Sequence, residues 1–306
     1  MDFRRSFWLL VFYTALVFLC ITTAVRISFE YNPLSIRSKN KILETFEQNE
    51  MVLIGDSSLA AGIDEQYLSS LTGLTISRLN LSATGHNFAA TYNLIRHAIT
   101  NNENLQYIVI MQSPSAWQYG FQQAGYCSTL GTLDSKSVIN AGLIDRWTCL
   151  KLKHLSIAQI YSTLAQRIYE YIFNEKITYI ATYKNGGLNI SKDLSQNKFK
   201  GLENINSDKY KIIALINDLQ IKGFPKILYL QGALHSELHK KYLTHIERHH
   251  NIINSYQNIQ LVESYLYPKN ENMGNSENHV DTSFQRQATD FYFKALKSHL
   301  KKPVSK

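Results

Sequence analysis

The segment Met51-Val-Leu-Ile-Gly-Asp-Ser-Ser-Leu59 places a serine just beyond a short apolar run. A serine hydroxyl is a weak nucleophile until a base takes its proton. Neutral imidazole does this near pH 7. If Met51–Ile54 is a buried parallel strand, Ser57 stands at its carboxyl end, where ligands bind in such sheets. Backbone N–H groups at the following turn then face a developing oxyanion, and Gly55 permits that turn. Gly-Asp-Ser-Ser is also common turn chemistry, so the segment alone reads both ways. The base would be one of the chain's ten histidines.

Most of the histidines and the cysteines carry less. His235 and His239 have i, i+4 spacing, but the pattern is not His-Glu-x-x-His, so metalloprotease mechanics are missing. With His245, His249 and His250 they read as a solvated, basic helix face. His86 reads as a loop histidine. Cys20 lies in an apolar run, and Cys127 and Cys149 lie beyond it. In an oxidising compartment those two can pair. Neither belongs to a C-x-x-C pair, so zinc is not favoured. No metal and no cofactor is expected.

The elements that must position these residues alternate. Met51–Ile54, Thr75–Leu81, Tyr107–Met111, Lys226–Leu230 and Ile259–Val262 read as strands. Leu59–Leu71, Phe88–Ile99, a helix from Ser207 or Asp208 to Ile221, Ser236–His250 and Ser283–His299 read as helices. Alternation of this kind implies crossover units and a parallel sheet. The expected fold is a three-layer α/β/α domain over residues 49–306 with five parallel strands. An insertion over about 115–201 interrupts it. Within the insertion Leu155–Phe173 has amphipathic spacing, and Lys184–Lys200, with Gly186-Gly187, reads as a loop.

Residues 7–25 form an uncharged run after Arg4 and Arg5. About 20 apolar residues span a hydrocarbon core, and the arginines keep the amino terminus in the cytoplasm. Residues 1–25 therefore read as a cytoplasmic tip and transmembrane anchor, favoured over a cleaved signal peptide because the run is long. Residues 26–48 read as a membrane-proximal linker. The domain beyond is expected on the periplasmic or extracellular side of the cytoplasmic membrane.

Gly-Asp-Ser-Ser-Leu near the start of the folded region resembles the first block of the SGNH/GDSL hydrolases. The resemblance implies a flavodoxin-like fold with Ser57 as nucleophile and His279 as base. Asn80-Leu-Ser-Ala-Thr-Gly85-His-Asn resembles the second block and implies Gly85 as an oxyanion donor beside the Ser57 N–H. Where the family has an asparagine after the third strand, this chain has Met111-Gln112-Ser113, so Gln112 is the candidate amide donor. The last block, usually Asp-x-x-His, is here Ser276-Glu277-Asn278-His279: the histidine matches and the aspartate does not, so the resemblance implies Ser276, through its hydroxyl, or Glu277, with a negative charge, as the partner of the ring. The likeness covers about residues 50–115 and 275–300. Exported, single-span members include proteins of polysaccharide O-acetylation and of D-alanyl transfer. That implies an esterase or O-acyltransferase acting on an envelope glycan, with a membrane-embedded acyl-donor partner as a further expectation. The alternative is a catalytically silent SGNH-like binding or assembly protein of an envelope complex.

The bulk composition fits either. The 306 residues are 44% hydrophobic and 18% charged, enough for one sizeable core. The net charge of +8 suits anionic surfaces. Its lysines are scattered rather than clustered, which argues against nucleic acid as a partner.

Overall fold

The computed structural model describes residues 3–30, 48–80, 88–118, 182–184, 187–189, 202, 205, 207–219 and 225–300. Helix α1 runs Phe3–Glu30. The domain then alternates: β1 Met51–Gly55, α2 Ser57–Gly62, α3 Glu65–Thr72, β2 Ile76–Asn80, α4 Phe88–Asn101 and β3 Tyr107–Gln112. Strands β4 Thr182–Lys184 and β5 Gly187–Asn189 follow, then α5 Ser207–Asn217 and β6 Lys226–Gln231. The chain continues through α6 Ser236–Lys241, α7 Leu243–Asn254, β7 Ile259–Leu261 and α8 Gln285–Lys297.

Five strands form one sheet in the order β2-β1-β3-β6-β7, and every pairing in it is parallel. Strands β1 and β3 are buried along their whole length, because helices cover both faces of a parallel sheet and strands in it need apolar residues on both sides. Val52, Ile54, Ile108, Ile110, Ile227 and Tyr229 pack with α4, α5 and α7 on one face. Met51, Leu53, Val109, Met111, Leu228 and Leu230 pack with α2, α3 and α8 on the other. This is a three-layer α/β arrangement, as the alternation of strands and helices predicts.

Three helices differ from the sequence reading in ways with local causes. The helix expected over Leu59–Leu71 is two helices, broken at Ile63-Asp64. There the Asp64 side chain caps α3 by accepting from the Tyr67 N–H. The helix expected over Ser236–His250 breaks at Tyr242 and then runs on to Asn254. The last helix starts at Gln285, after a 3₁₀ turn over Thr282–Phe284 capped by Asp281. The polar stretch read as a loop from Lys184 holds instead the second strand of an antiparallel hairpin, β4 with β5. The two strands are separated by Asn185-Gly186, and Asn-Gly is a strong short-range hairpin signal. The amphipathic segment Leu155–Phe173 lies outside the described residues.

The side chains of α1 are described over 6–20 and are exposed. Among the described residues no helix is long and apolar enough to cross a membrane.

Candidate functional site

Ser57 opens α2 at the carboxyl end of β1 and is 8% exposed. The turn that carries it is held by Asp56. One carboxylate oxygen, Oδ1, accepts from the Ser58 N–H at 2.9 Å and from the Ser58 hydroxyl at 2.5 Å. The other, Oδ2, accepts from the Ser113 N–H at 3.1 Å. A buried carboxylate is tolerated when hydrogen bonds replace its water, and here three donors do so. Asp56 thereby ties the end of β1 to the residue following β3. Ser58 is fully buried and committed to Asp56, so Ser57 is the more exposed hydroxyl of the two.

Close backbone approach explains two glycines. A Cβ at Gly55 would lie 2.2 Å from the Met111 carbonyl oxygen, and one at Gly232 would lie 2.0 Å from the Ser58 hydroxyl oxygen. The carboxyl ends of β1, β3 and β6 are thus pressed together around Ser58.

His279 lies in the segment leading into α8. Antiparallel pairing of Met273 with Val280 holds this segment, together with bonds from Gly274 N–H to the His279 carbonyl (2.7 Å) and from Asp281 N–H to the Asn272 carbonyl (2.9 Å). The His235 N–H donates to the Glu277 carbonyl at 2.8 Å, which fastens the segment to the chain leaving β6. Helix α8 then staples onto α2 and α3. Gln285 Nε2 donates to the Ala60 carbonyl at 3.0 Å, the Asp64 N–H donates to Thr289 Oγ1 at 2.9 Å, and the Tyr67 hydroxyl donates to Asp290 at 2.9 Å. The histidine-bearing segment and the serine-bearing turn are therefore braced against each other through α8.

The ring of His279 is oriented by Asn275. Its Nδ1 lies 2.8 Å from the Asn275 carboxamide oxygen, a contact that protonates Nδ1 and leaves Nε2 as the basic nitrogen. The Ser276 hydroxyl, read from the sequence as the ring's partner, donates to Asn278 Oδ1 at 2.8 Å. Glu277 takes part through its main-chain carbonyl. Asn275 was not singled out from the sequence. Its signal is weak: a carboxamide four residues before the histidine, in a segment rich in turn-forming residues.

Gln112 is described and 4% exposed. In β3 it alternates with Met111 and shares the face of Ile108 and Ile110, opposite the face that α2 covers. Ser113, one residue on, is the neighbour of Asp56. Gly85, His86, Cys127 and Cys149 lie outside the described residues. Cys20 is a free, exposed thiol on α1.

The histidines read as a solvated face are largely internal. His235, His249 and His250 are buried. His249 stacks edge-on against Trp117 with ring centroids 3.6 Å apart and sits 3.2 Å from the Tyr229 hydroxyl. That hydroxyl also accepts from Trp117 Nε1 at 2.8 Å. Burial, with smaller contributions from His250 and His245, holds the His249 ring well below the ordinary histidine pKa. Burial chiefly, with His239, brings His250 down to about 4. His250 lies flat on Tyr265 and His239 flat on Tyr267. Helix α7 carries this face inward because its apolar stripe also includes Ile246 and Ile253.

Among the described residues no group of three or more His, Cys, Asp or Glu side chains is arranged to hold a metal ion. An open cavity of about 660 Å³ runs along β7 and the end of α8, lined by Gln260, Ser264, Ser298 and His299 among others. None of the candidate residues lines it. No protein-family model matches this chain, and no curated protein matches it.

Proposed function

We propose that this protein is a serine-dependent acyl-ester hydrolase or O-acyltransferase of the SGNH/GDSL type, anchored in the cytoplasmic membrane and acting on an envelope glycan. The observation that carries the reading is the division of labour at the β1 turn. Asp56 is occupied by Ser58 and Ser113, which leaves the Ser57 hydroxyl at the sheet's carboxyl edge. We assign His279, its Nδ1 held by Asn275, as the base. In this reading His279 Nε2 takes the Ser57 proton as Ser57 Oγ bonds to an ester carbonyl carbon. The Ser57 and Gly85 N–H groups meet the oxyanion. The alcohol leaves with the proton from His279, and an acyl-Ser57 remains. Water or a sugar hydroxyl then attacks that carbonyl and passes its proton to His279, which hands it to Ser57 Oγ as the acyl–oxygen bond breaks. The single-span anchor rests on the uncharged run 7–25 after Arg4 and Arg5.

A second reading is a catalytically silent binding or assembly protein of the same fold. One observation favours it: the partner of His279 is a neutral carboxamide, which supports an imidazolium less well than a carboxylate does. A fluorophosphonate probe separates the two. The expected result is covalent labelling of the wild-type chain, lost in Ser57→Ala and retained in Ser58→Ala, with Ser57→Ala melting within about 1 kcal/mol of wild type because little apolar area is removed. Labelling that survives Ser57→Ala moves the nucleophile elsewhere. A wild-type chain that never labels favours the silent protein.

A further inference from the structure

Every residue of helix α2 is buried, Ser57 included. The first turn of a helix that starts at the carboxyl edge of a parallel sheet stands where ligands bind, so this burial has to come from particular elements. The sheet lies under α2, with β1, β2 and β3 against it and no room for a methyl group at Gly55 or Gly232. Helix α8 packs beside it. Gln285 Nε2 donates to the Ala60 carbonyl at 3.0 Å, and a Cβ at Gly62 would lie 3.3 Å from the Tyr292 ring. The third element is strand β5 of the antiparallel hairpin, whose Cα atoms come within 8 Å of those of α2. Strands β4 and β5 have three residues each and stand apart from the five-stranded sheet. A two-stranded hairpin on its own is marginal in water, so this one depends on what it lies against.

We propose that the β4–β5 hairpin is a cover over the Ser57 end of α2 that limits the size of the molecules reaching that hydroxyl. The sheet and α8 cannot yield without opening the core, because Leu59, Ala60 and Ala61 pack there with Met111, Ala288 and Tyr292. Of the three, only the hairpin lies outside the sheet and the helices that cover it. It is therefore the side by which a molecule enters, and a small acyl donor passes it more readily than a bulky one. As a filter on acyl donors the cover rests on the acyl-transfer reading above; the covering of position 57 does not.

The test reads access to position 57 without catalysis. Ser57→Cys in the full chain, in detergent micelles, is treated with methyl methanethiosulfonate or with a biotin-bearing methanethiosulfonate. Mass spectrometry follows the peptide that holds position 57, and each rate is divided by that for glutathione. The influence of Asp56 on the thiol is common to both reagents and cancels in their ratio. The bulky reagent should be slowed at least tenfold more than the small one. Thr182 and Asn189 are register partners, so a Gly-Gly link can replace residues 182–189, and it should remove most of that difference. Asn185→Pro should do the same in a chain of full length. Proline fixes φ at about −65°, whereas the favoured two-residue hairpin turns need a positive φ at their first central position. Both variants are read in protein that still melts cooperatively. Oxidative cross-linking leaves the hairpin intact and decides where they do not: at least one of Gly187→Cys, Leu188→Cys and Asn189→Cys should link to Ser57→Cys. Equal slowing of the two reagents in the intact chain overturns the proposal. So does a size difference that survives in both hairpin variants, or the absence of any cross-link. Small and large fluorophosphonates should show the same size dependence on the wild-type chain. If neither labels it while the thiol rates behave as expected, the cover stands and the acyl chemistry falls.

Discussion

If His279 is the base, as proposed, its ring partner sets the pH dependence of the reaction. A carboxamide oxygen at Nδ1 fixes the tautomer but adds no negative charge. Asn275→Asp puts a carboxylate at that contact, which favours the imidazolium and raises the ring's pKa. A base must be neutral to act, so activity falls as pH drops through its pKa. The acid limb of kcat/KM for an aryl ester should therefore move to higher pH in Asn275→Asp. The plateau should rise about tenfold or more, in the direction of the handicap a triad suffers on losing its charge. Ser276→Asp should give no such gain, because the Ser276 side chain is turned to Asn278. A gain from Ser276→Asp with none from Asn275→Asp would reassign the ring's partner.

At the scale of elements, the junction of β1, β3 and β6 leaves no room for a methyl group. A Cβ on Gly232 meets the Ser58 Oγ at 2.0 Å, the Ser58 Cβ at 2.8 Å and the Ser113 backbone nitrogen at 3.0 Å. Gly232→Ala must push α2 or β3 aside, with an expected loss of about 2–3 kcal/mol in a urea melt. Ser58→Ala in the same chain should recover only part of it, since the Cβ contact remains. A neutral outcome for Gly232→Ala would show that the strand ends are looser than drawn. Helix α7 carries a second element-scale consequence. The pKa of His250 falls from an ordinary 6.5 to about 4 on folding, and that of His249 lies well below 6.5. The unfolded chain then binds more protons than the folded one between pH 6.5 and 4. Stability from this source is complete above pH 6.5 and is lost as pH falls through that window, by up to about 1.4 kcal/mol per pH unit for each histidine. Urea midpoints from pH 7 to 4.5 should show this slope, and His250→Gln should flatten it. An unchanged slope in His250→Gln would mean that the ring is charged in the folded state.

The whole molecule carries one further expectation. On the proposal that residues 7–25 are an anchor, with Arg4 and Arg5 before it, the α/β domain is expected outside the cytoplasmic membrane. Protease added to spheroplasts should digest the domain. Protection there, with digestion only in inverted vesicles, would reverse the orientation. The order of strands and helices was legible because each strand of the main sheet is a short apolar run between helical spacings, and a buried parallel strand has to be apolar on both faces. Ser57 and His279 were legible as residue types in turn-like contexts. Their partners were not. Ser113 and Gly232 are ordinary loop residues until backbone bonds bring 56, 113 and 232 together, and proximity across 57 to 176 residues leaves no local mark, whereas Asn275 is local to His279 but is one of several polar residues in that turn. The inward face of α7 was misread for a related reason. His249 and His250 are polar in sequence, and only Trp117, Tyr229 and Tyr265 around them make that environment dry. The amino-acid sequence by itself determined the alternation and the parallel sheet, because these follow from local periodicity, and it named Ser57 and His279 as candidates through their side-chain chemistry and a family resemblance. Which serine is held by Asp56 and which side chain orients His279 were decided by the tertiary structure, because the turns that make these short-range bonds are held in shape by contacts with distant segments, the Ser113 N–H on Asp56 and the His235 N–H on the Glu277 carbonyl.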